Sequence, residues 1–157
     1  MENMITRQRA TVEEHLRTEN AGDWPAVYDT FIQSEAVYYD VVPLSAKFRG
    51  MAGVKDFYEM LVAAIPDLHI TVSAEYDVPG CSIREVTITG THQGEYCGAP
   101  ASGNPICFEL VAFYLFDMDD DSGKLLAERI YFDNETLLRQ MRGEANAPTG
   151  VGLVHVA

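Results

Sequence analysis

The chain has 157 residues, 47% of them apolar, which is enough to fill one hydrophobic core. Its 24 acidic and 11 basic side chains leave a formal net charge of −13, which repels a phosphate backbone and an anionic bilayer, so neither nucleic acid nor a membrane is an expected partner. Cys81, Cys97 and Cys107 are odd in number and lack C-x-x-C spacing, which argues against a disulfide framework or zinc ribbon and fits a reducing, cytoplasmic setting.

Residues 4 to 20 read as a helix, with Val12 and Leu16 one turn apart and an otherwise solvated face. "NAGD" breaks it and offers Asp23 as N-cap to a second helix, in which Pro25 sits in the first turn and Trp24, Val27, Tyr28 and Phe31 share a face. "AVYYDVV" reads as a short strand, and residues 51 to 65 as a third helix with Val54, Phe57, Tyr58, Leu61 and Ile65 on one stripe.

Beyond Pro66 the period changes to two. "LHITVSAEYDV" and "SIREVTITGTH" are expected strands joined by the turn dipeptide Pro79-Gly80. "PICFELVAFYLFDM" is apolar on both parities and is expected to be a central strand covered on both faces over part of its length. "KLLAERIYFD" is the last long strand, and "ETLLRQM" a closing helix. Gly143 reads as a helix stop. This gives one domain over residues 1–143 and an extension over 144–157, in which Leu153 to Val156 could add an edge strand. Helices followed by hairpin-linked strands argue for α+β architecture with an antiparallel sheet and room for a pocket between the layers.

Asp133 ends the last strand at the start of a helical pattern, and two roles compete for it. If the odd face of that strand, with Arg129 and Tyr131, looks into the pocket, Asp133 stands at the rim with a raised pKa and can act as general base. The other role is helix N-cap, in which backbone N–H groups lower the pKa and weaken the base. His92 shares a strand face with Val86, Ile88 and Gly90, where it could donate to a substrate oxygen or pack as a core histidine. His15, His69 and His155 show no metal-ligand spacing, so no metal is expected. Neither a phosphate loop nor a serine-nucleophile elbow is present, so no nucleotide and no covalent serine intermediate are expected. Trp24, Tyr28, Tyr39, Phe57, Tyr58, Phe113, Tyr114 and Tyr131 form an aromatic-rich set that is mostly core. The best candidates for pocket walls are Trp24, Tyr28, Tyr39, Phe57, Tyr58, Phe113 and Tyr131, with Arg129 on the same strand face.

Three segments carry a family resemblance: "FRGMAGVKDFYEMLVAAIPDL", "TGTHQGEYCGAPASGNPICFEL" and "GKLLAERIYFDNETLLRQM". Over roughly residues 5 to 142 the chain resembles the SnoaL-like polyketide cyclases of the nuclear-transport-factor-2-like superfamily, most specifically in its G-T-H-x-G-E-[aromatic]-x-G-x-P-x-[ST]-G stretch. The resemblance implies three to four helices wrapped by a curved mixed, mostly antiparallel sheet, an internal hydrophobic pocket, a homodimer and no cofactor. It also implies a hydrophobic small-molecule substrate, Asp133 as the base that forms an enolate for intramolecular aldol closure, and His92 in support. Isomerases, dehydratases and epoxide hydrolases use the same fold, the last through an Asp-Arg-Asp set for which Asp40, Arg129 and Asp133 are candidates. A non-catalytic binding or dimerisation module is the alternative from another class.

Overall fold

A computed structural model describes residues 2–147. The first helix, α1 (Glu2–Ala21), ends where Gly22 turns to φ +66°. There the Gly22 and Asp23 N–H groups bond back to the Glu19 and Thr18 carbonyls, which satisfies two orphan acceptors in the left-handed cap that glycine makes cheaply. Asp23 then caps α2 (Trp24–Asp29) by accepting from the Ala26 N–H, as its position in the sequence predicts.

The chain continues through β1 (Tyr38–Val41), a single 3-10 turn, β2 (Ala46–Arg49) and α3 (Gly50–Ala64). Then follow β3 (His69–Val78), β4 (Cys81–Thr91), β5 (Pro105–Phe116), β6 (Leu125–Phe132) and α4 (Asn134–Met141). The six strands form one open sheet in the order β2-β1-β6-β5-β4-β3, in which β1 and β6 run parallel and all other pairs antiparallel. This is the expected α+β architecture with a mixed, mostly antiparallel sheet. Strand β2 is an addition that the sequence reading misses: Ala46, Lys47, Phe48 and Arg49 lack the run of β-branched and aromatic residues that marks β1. The possible strand at 153–156 lies outside the described residues. No helix of the described residues is long and apolar enough to cross a membrane.

Register shifts at Val72/Ala74 and at Leu115/Phe116 bend the sheet, since an extra residue on one strand adds local twist. Its inner face packs on the helices through Val86, Ile88, Phe108, Leu110 and Ile130, against Val12, Val54, Phe57 and Ile65. Strand β5 departs from the expectation of cover on both faces. Its even residues are buried and its odd ones are half-buried or exposed, so the apolar outer positions Val111, Phe113 and Leu115 lie on a partly open surface. Beyond Phe132 no strand of the described residues pairs with β5 on this side, and α4 takes over: the Gln140 side chain donates to the Cys107 carbonyl (2.8 Å) and accepts from its N–H (2.7 Å), as a neighbouring strand would.

The loop after β4 docks on the end of α3, where Gln93 and Gly94 donate to the Ala64 carbonyl at 2.9 and 3.1 Å. A Cβ at Gly94 would collide with the Ala63 carbonyl, so this close approach requires glycine.

Candidate active site

The register of the sheet sets one row of side chains side by side. Glu128 on β6 lies opposite Tyr39 on β1 and Tyr114 on β5, and all three point to the inner face. The even residues of β6, Glu128, Ile130 and Phe132, therefore line the interior, and the odd residues Arg129 and Tyr131 lie on the outer face. This inverts the parity on which an inward Asp133 depends.

The interior holds an apolar cavity with a mouth where the half-exposed Met60 sits. Leu61, Ile88, Phe108, Leu110 and Ile130 are among its walls. Its polar end is made by Glu19, Tyr39, Tyr114 and Glu128, and among the described residues no Lys, Arg or His lines it. The Tyr96 hydroxyl donates to Asn134 at 2.8 Å. Tyr114 lines the same space, and its hydroxyl has no hydrogen-bond partner among the described residues, so it is available to a ligand.

Behind the polar end lies a fully buried histidine. His15 Nε2 is 3.3 Å from Glu19 Oε1, 3.3 Å from Glu128 Oε2 and 3.0 Å from the Tyr58 hydroxyl. That hydroxyl in turn lies 2.9 Å from Glu19 Oε1 and 3.3 Å from Glu128 Oε2. Burial alone would lower the His15 pKa, but Glu19 and Glu128 outweigh it and push it up to about 10. Burial raises the Glu128 pKa above the usual carboxylate range, although the His15 charge and a hydrogen bond from Tyr39 oppose it. Burial, reinforced by the two glutamates, also holds Tyr39, Tyr58 and Tyr114 well above 10, so at neutral pH they are hydrogen-bond donors. The centre thus joins a protonated histidine, two carboxyl groups of which one has a raised proton affinity, and neutral phenols, all at the end of an apolar chamber.

The folded chain holds the His15 proton more tightly than the unfolded chain, whose histidine titrates near 6.5. This contribution is complete below about pH 6.5 and is lost as pH rises toward 10. Scanning calorimetry from pH 6 to 10 should show a falling melting temperature; a flat profile would exclude a proton stored at His15.

His15, Glu19 and Glu128 offer ligand atoms that all lie within 4.8 Å of one another, a set able to hold a divalent cation. A cation there would have to replace the proton at His15 Nε2. Sequence spacing alone discounts this set, because Glu128 is remote in the chain.

Asp133, the expected base, stands elsewhere. It is exposed and caps α4, accepting from the Thr136 N–H at 3.1 Å and the Thr136 hydroxyl at 2.6 Å. The Thr136 hydroxyl and N–H hold its pKa below the ordinary aspartate value, the reverse of the raised value a desolvated base needs. Asp133→Asn should leave turnover and thermal stability close to wild type, since Asn caps as well as Asp, whereas Asp133→Ala should lower the melting temperature only.

His92 is also away from the cavity lining. It is fully buried, with Nδ1 2.9 Å from the Ser102 hydroxyl, and its backbone bonds to Ser102, Gly103 and Asn104, so it ties the ends of the 92–104 loop together. Of the expected pocket walls, Tyr39 and Phe57 line the cavity and stack on each other at 3.7 Å. Tyr58 serves the centre from behind, while Trp24 and Tyr28 pack on its ring at 5.7 and 6.0 Å without reaching the cavity. Phe113 and Tyr131 pack together on the outer face. Arg129 is there too, 3.7 Å from Asp40, which also bonds Arg49 at 2.7 Å. The Asp40-Arg129-Asp133 set is therefore not assembled in the cavity.

The residues that sequence reading misses are His15, Glu19, Glu128 and the role of Tyr114. A signal for two of them exists: Val12, His15, Leu16 and Glu19 follow the i, i+3, i+4, i+7 pattern of one buried helix face, and polar residues on such a stripe need partners inside.

The family model of SnoaL-like polyketide cyclases matches residues 8–141. No curated protein matches the sequence. Among solved structures, a candidate SnoaL-like polyketide cyclase from Jannaschia sp. CCS1 superposes with TM-score 0.77 at 16% identity, covering 93% of this chain and 96% of that one. AclR, a candidate hydroxylase from Streptomyces galilaeus, gives 0.73 at 20% identity over 90% and 98%. IdmH, a candidate polyketide cyclase from Streptomyces antibioticus, gives 0.70 at 17% identity over 86% and 98%. At these identities the neighbours establish a shared fold.

Proposed function

Because the chain belongs to the SnoaL-like polyketide cyclase family, we propose that it is a cofactor-independent acid/base enzyme acting on a hydrophobic carbonyl compound, with Glu128 rather than Asp133 as the base. The observation that carries this reading is the single polar end of an otherwise apolar cavity, where a buried carboxyl group of raised pKa lies on the strand next to a phenol that has no hydrogen-bond partner among the described residues.

A planar, uncharged substrate would enter past Met60 and set its carbonyl oxygen against the Tyr114 hydroxyl, with Tyr39 beside it. Glu128 would take the proton α to that carbonyl, and the electron pair of the C–H bond would pass into the enolate. The phenol, whose pKa burial and the two glutamates hold well above 10, would stabilise the enolate oxygen as a neutral hydrogen-bond donor. Attack of the enolate carbon on a second carbonyl of the same molecule forms the new C–C bond, and the proton on Glu128 returns to the resulting alkoxide. The walls exclude water that would otherwise quench the enolate. Isomerisation is the shorter version of this sequence, in which the proton returns to carbon. A homodimer completes the reading.

The test requires no knowledge of the natural substrate. Enolisation of a hydrophobic bicyclic ketone such as 2-tetralone is followed by NMR as exchange of its α-protons in D2O. Exchange above the buffer rate that depends on Glu128 supports the proposal, and exchange lost with Asp133→Asn but kept with Glu128→Gln would reverse the assignment.

A further inference from the structure

The His15 ring is held at its other nitrogen by a residue that no part of the proposed reaction touches. His15 Nδ1 lies 2.7 Å from the Thr30 hydroxyl, and that hydroxyl lies 2.6 Å from the Val27 carbonyl. Two oxygens approach this closely only with a proton between them, and a carbonyl has none to give, so the Thr30 proton is committed to Val27. The Thr30 hydroxyl can then only accept from His15, which places a proton on Nδ1. Thr30 is itself fixed: it is 6% exposed, its N–H bonds the Val27 carbonyl at 3.1 Å, and its carbonyl accepts from the Leu125 N–H at 2.9 Å, at the first residue of the strand that carries Glu128.

We propose that Thr30 is a positioning residue for the proton-transfer centre: by holding the Nδ1 proton it makes Nε2, between Glu19 and Glu128, the sole ring position at which His15 can gain or lose a proton. The inference rests on the reading of Glu128 as base for its effect on rate, but not for its effect on the ring. The groups that face His15 are Glu19 from α1, Glu128 from β6, Tyr58 from α3 and the Tyr114 ring from β5 at 5.6 Å. Phe31 closes the space at 5.6 Å, and Tyr39 and Arg84 act on the cluster from one residue further out. Among the described residues no other acceptor lies at Nδ1.

Without Thr30's oxygen, an imidazolium would bury one N–H with no acceptor, so the ring would drop that proton and remain neutral with Nε2 protonated. Glu128 would then face a neutral neighbour, and its own proton affinity would rise.

The experiment uses the full chain labelled with 15N-histidine, with the His15 signals assigned against His15→Gln. In wild type and in Thr30→Ser both ring nitrogens should stay protonated to the same high pH. In Thr30→Val, which keeps the shape of the side chain, the His15 midpoint should fall by at least one pH unit, and the acidic limb of the kcat/KM profile should move to higher pH. If the valine variant does not melt cooperatively, Thr30→Ala takes its place. An unshifted His15 midpoint, or a serine variant that behaves like the valine one, overturns the positioning role whatever the activity does. A shifted midpoint with an unmoved rate profile upholds Thr30's hold on the ring and removes Glu128 as the base.

Discussion

Glu128→Gln is expected to lower the catalysed α-proton exchange by about 10²- to 10⁴-fold, the range a positioned general base contributes. Glutamine keeps the volume and can still accept from Tyr39 and Tyr58, so the cavity should persist, but an amide takes no proton at neutral pH. The change also removes one of the two carboxyl groups that raise the His15 pKa, so the His15 midpoint should fall in the same protein. A variant that melts like wild type and exchanges at the wild-type rate would end the proposal that this carboxyl group does the chemistry. Ligand binding read separately, from quenching of tyrosine fluorescence by the ketone, distinguishes loss of the base from loss of the site.

The largest effect on stability is expected from Asp77→Ala. Arg84 on β4 is 1% exposed at its side chain and pairs with Asp77 on β3 at 2.9 Å, and Asp77, itself 2% exposed, also binds Arg9 of α1 at 2.8 Å. Removing the carboxylate leaves a buried guanidinium whose other acidic neighbour, Glu75, is half exposed and 3.5 Å away. Its Nη2 already has no hydrogen-bond partner among the described residues. Breaking a buried pair from one side costs about 3–5 kcal/mol, because the remaining charge has lost its compensation without regaining water. Urea unfolding at pH 7 measures this directly; a loss below about 1 kcal/mol would mean that the pair is solvated in solution.

These two predictions concern the same sheet face but differ in how readable they are beforehand. The strands themselves follow from period-two alternation, which sterics impose on any half-buried sheet, and β3 through β6 lie where that alternation places them. Which parity faces inward is not in the alternation of β6, because Arg129 and Glu128 make both of its faces half polar. The pairing of Glu128 with Tyr39 and Tyr114 settles it, and that pairing depends on a parallel contact between β1 and β6 across a long stretch of chain. An error of one residue in facing exchanges Glu128 for Arg129, and with it the base for a surface cation.

Asp133 illustrates the reverse situation. Its position one residue before a helical run is enough to make it a cap, since the unpaired N–H groups of the first turn need an acceptor wherever the helix lies. His15 and Glu19 were half legible: their place on the Val12–Leu16 stripe marks them as buried, but not what they meet there.

The sequence by itself determined the elements other than β2, the caps of α2 and α4, the α+β class and the presence of an apolar interior, because propensity, periodicity and turn chemistry act over a few neighbouring residues. Tertiary structure alone decided that His15, Glu19, Tyr58 and Glu128 share one buried centre and that Tyr114 opens onto the cavity beside it. Charges separated by more than a hundred positions acquire raised or lowered proton affinities only when packing brings them within a few ångströms and removes the water between them.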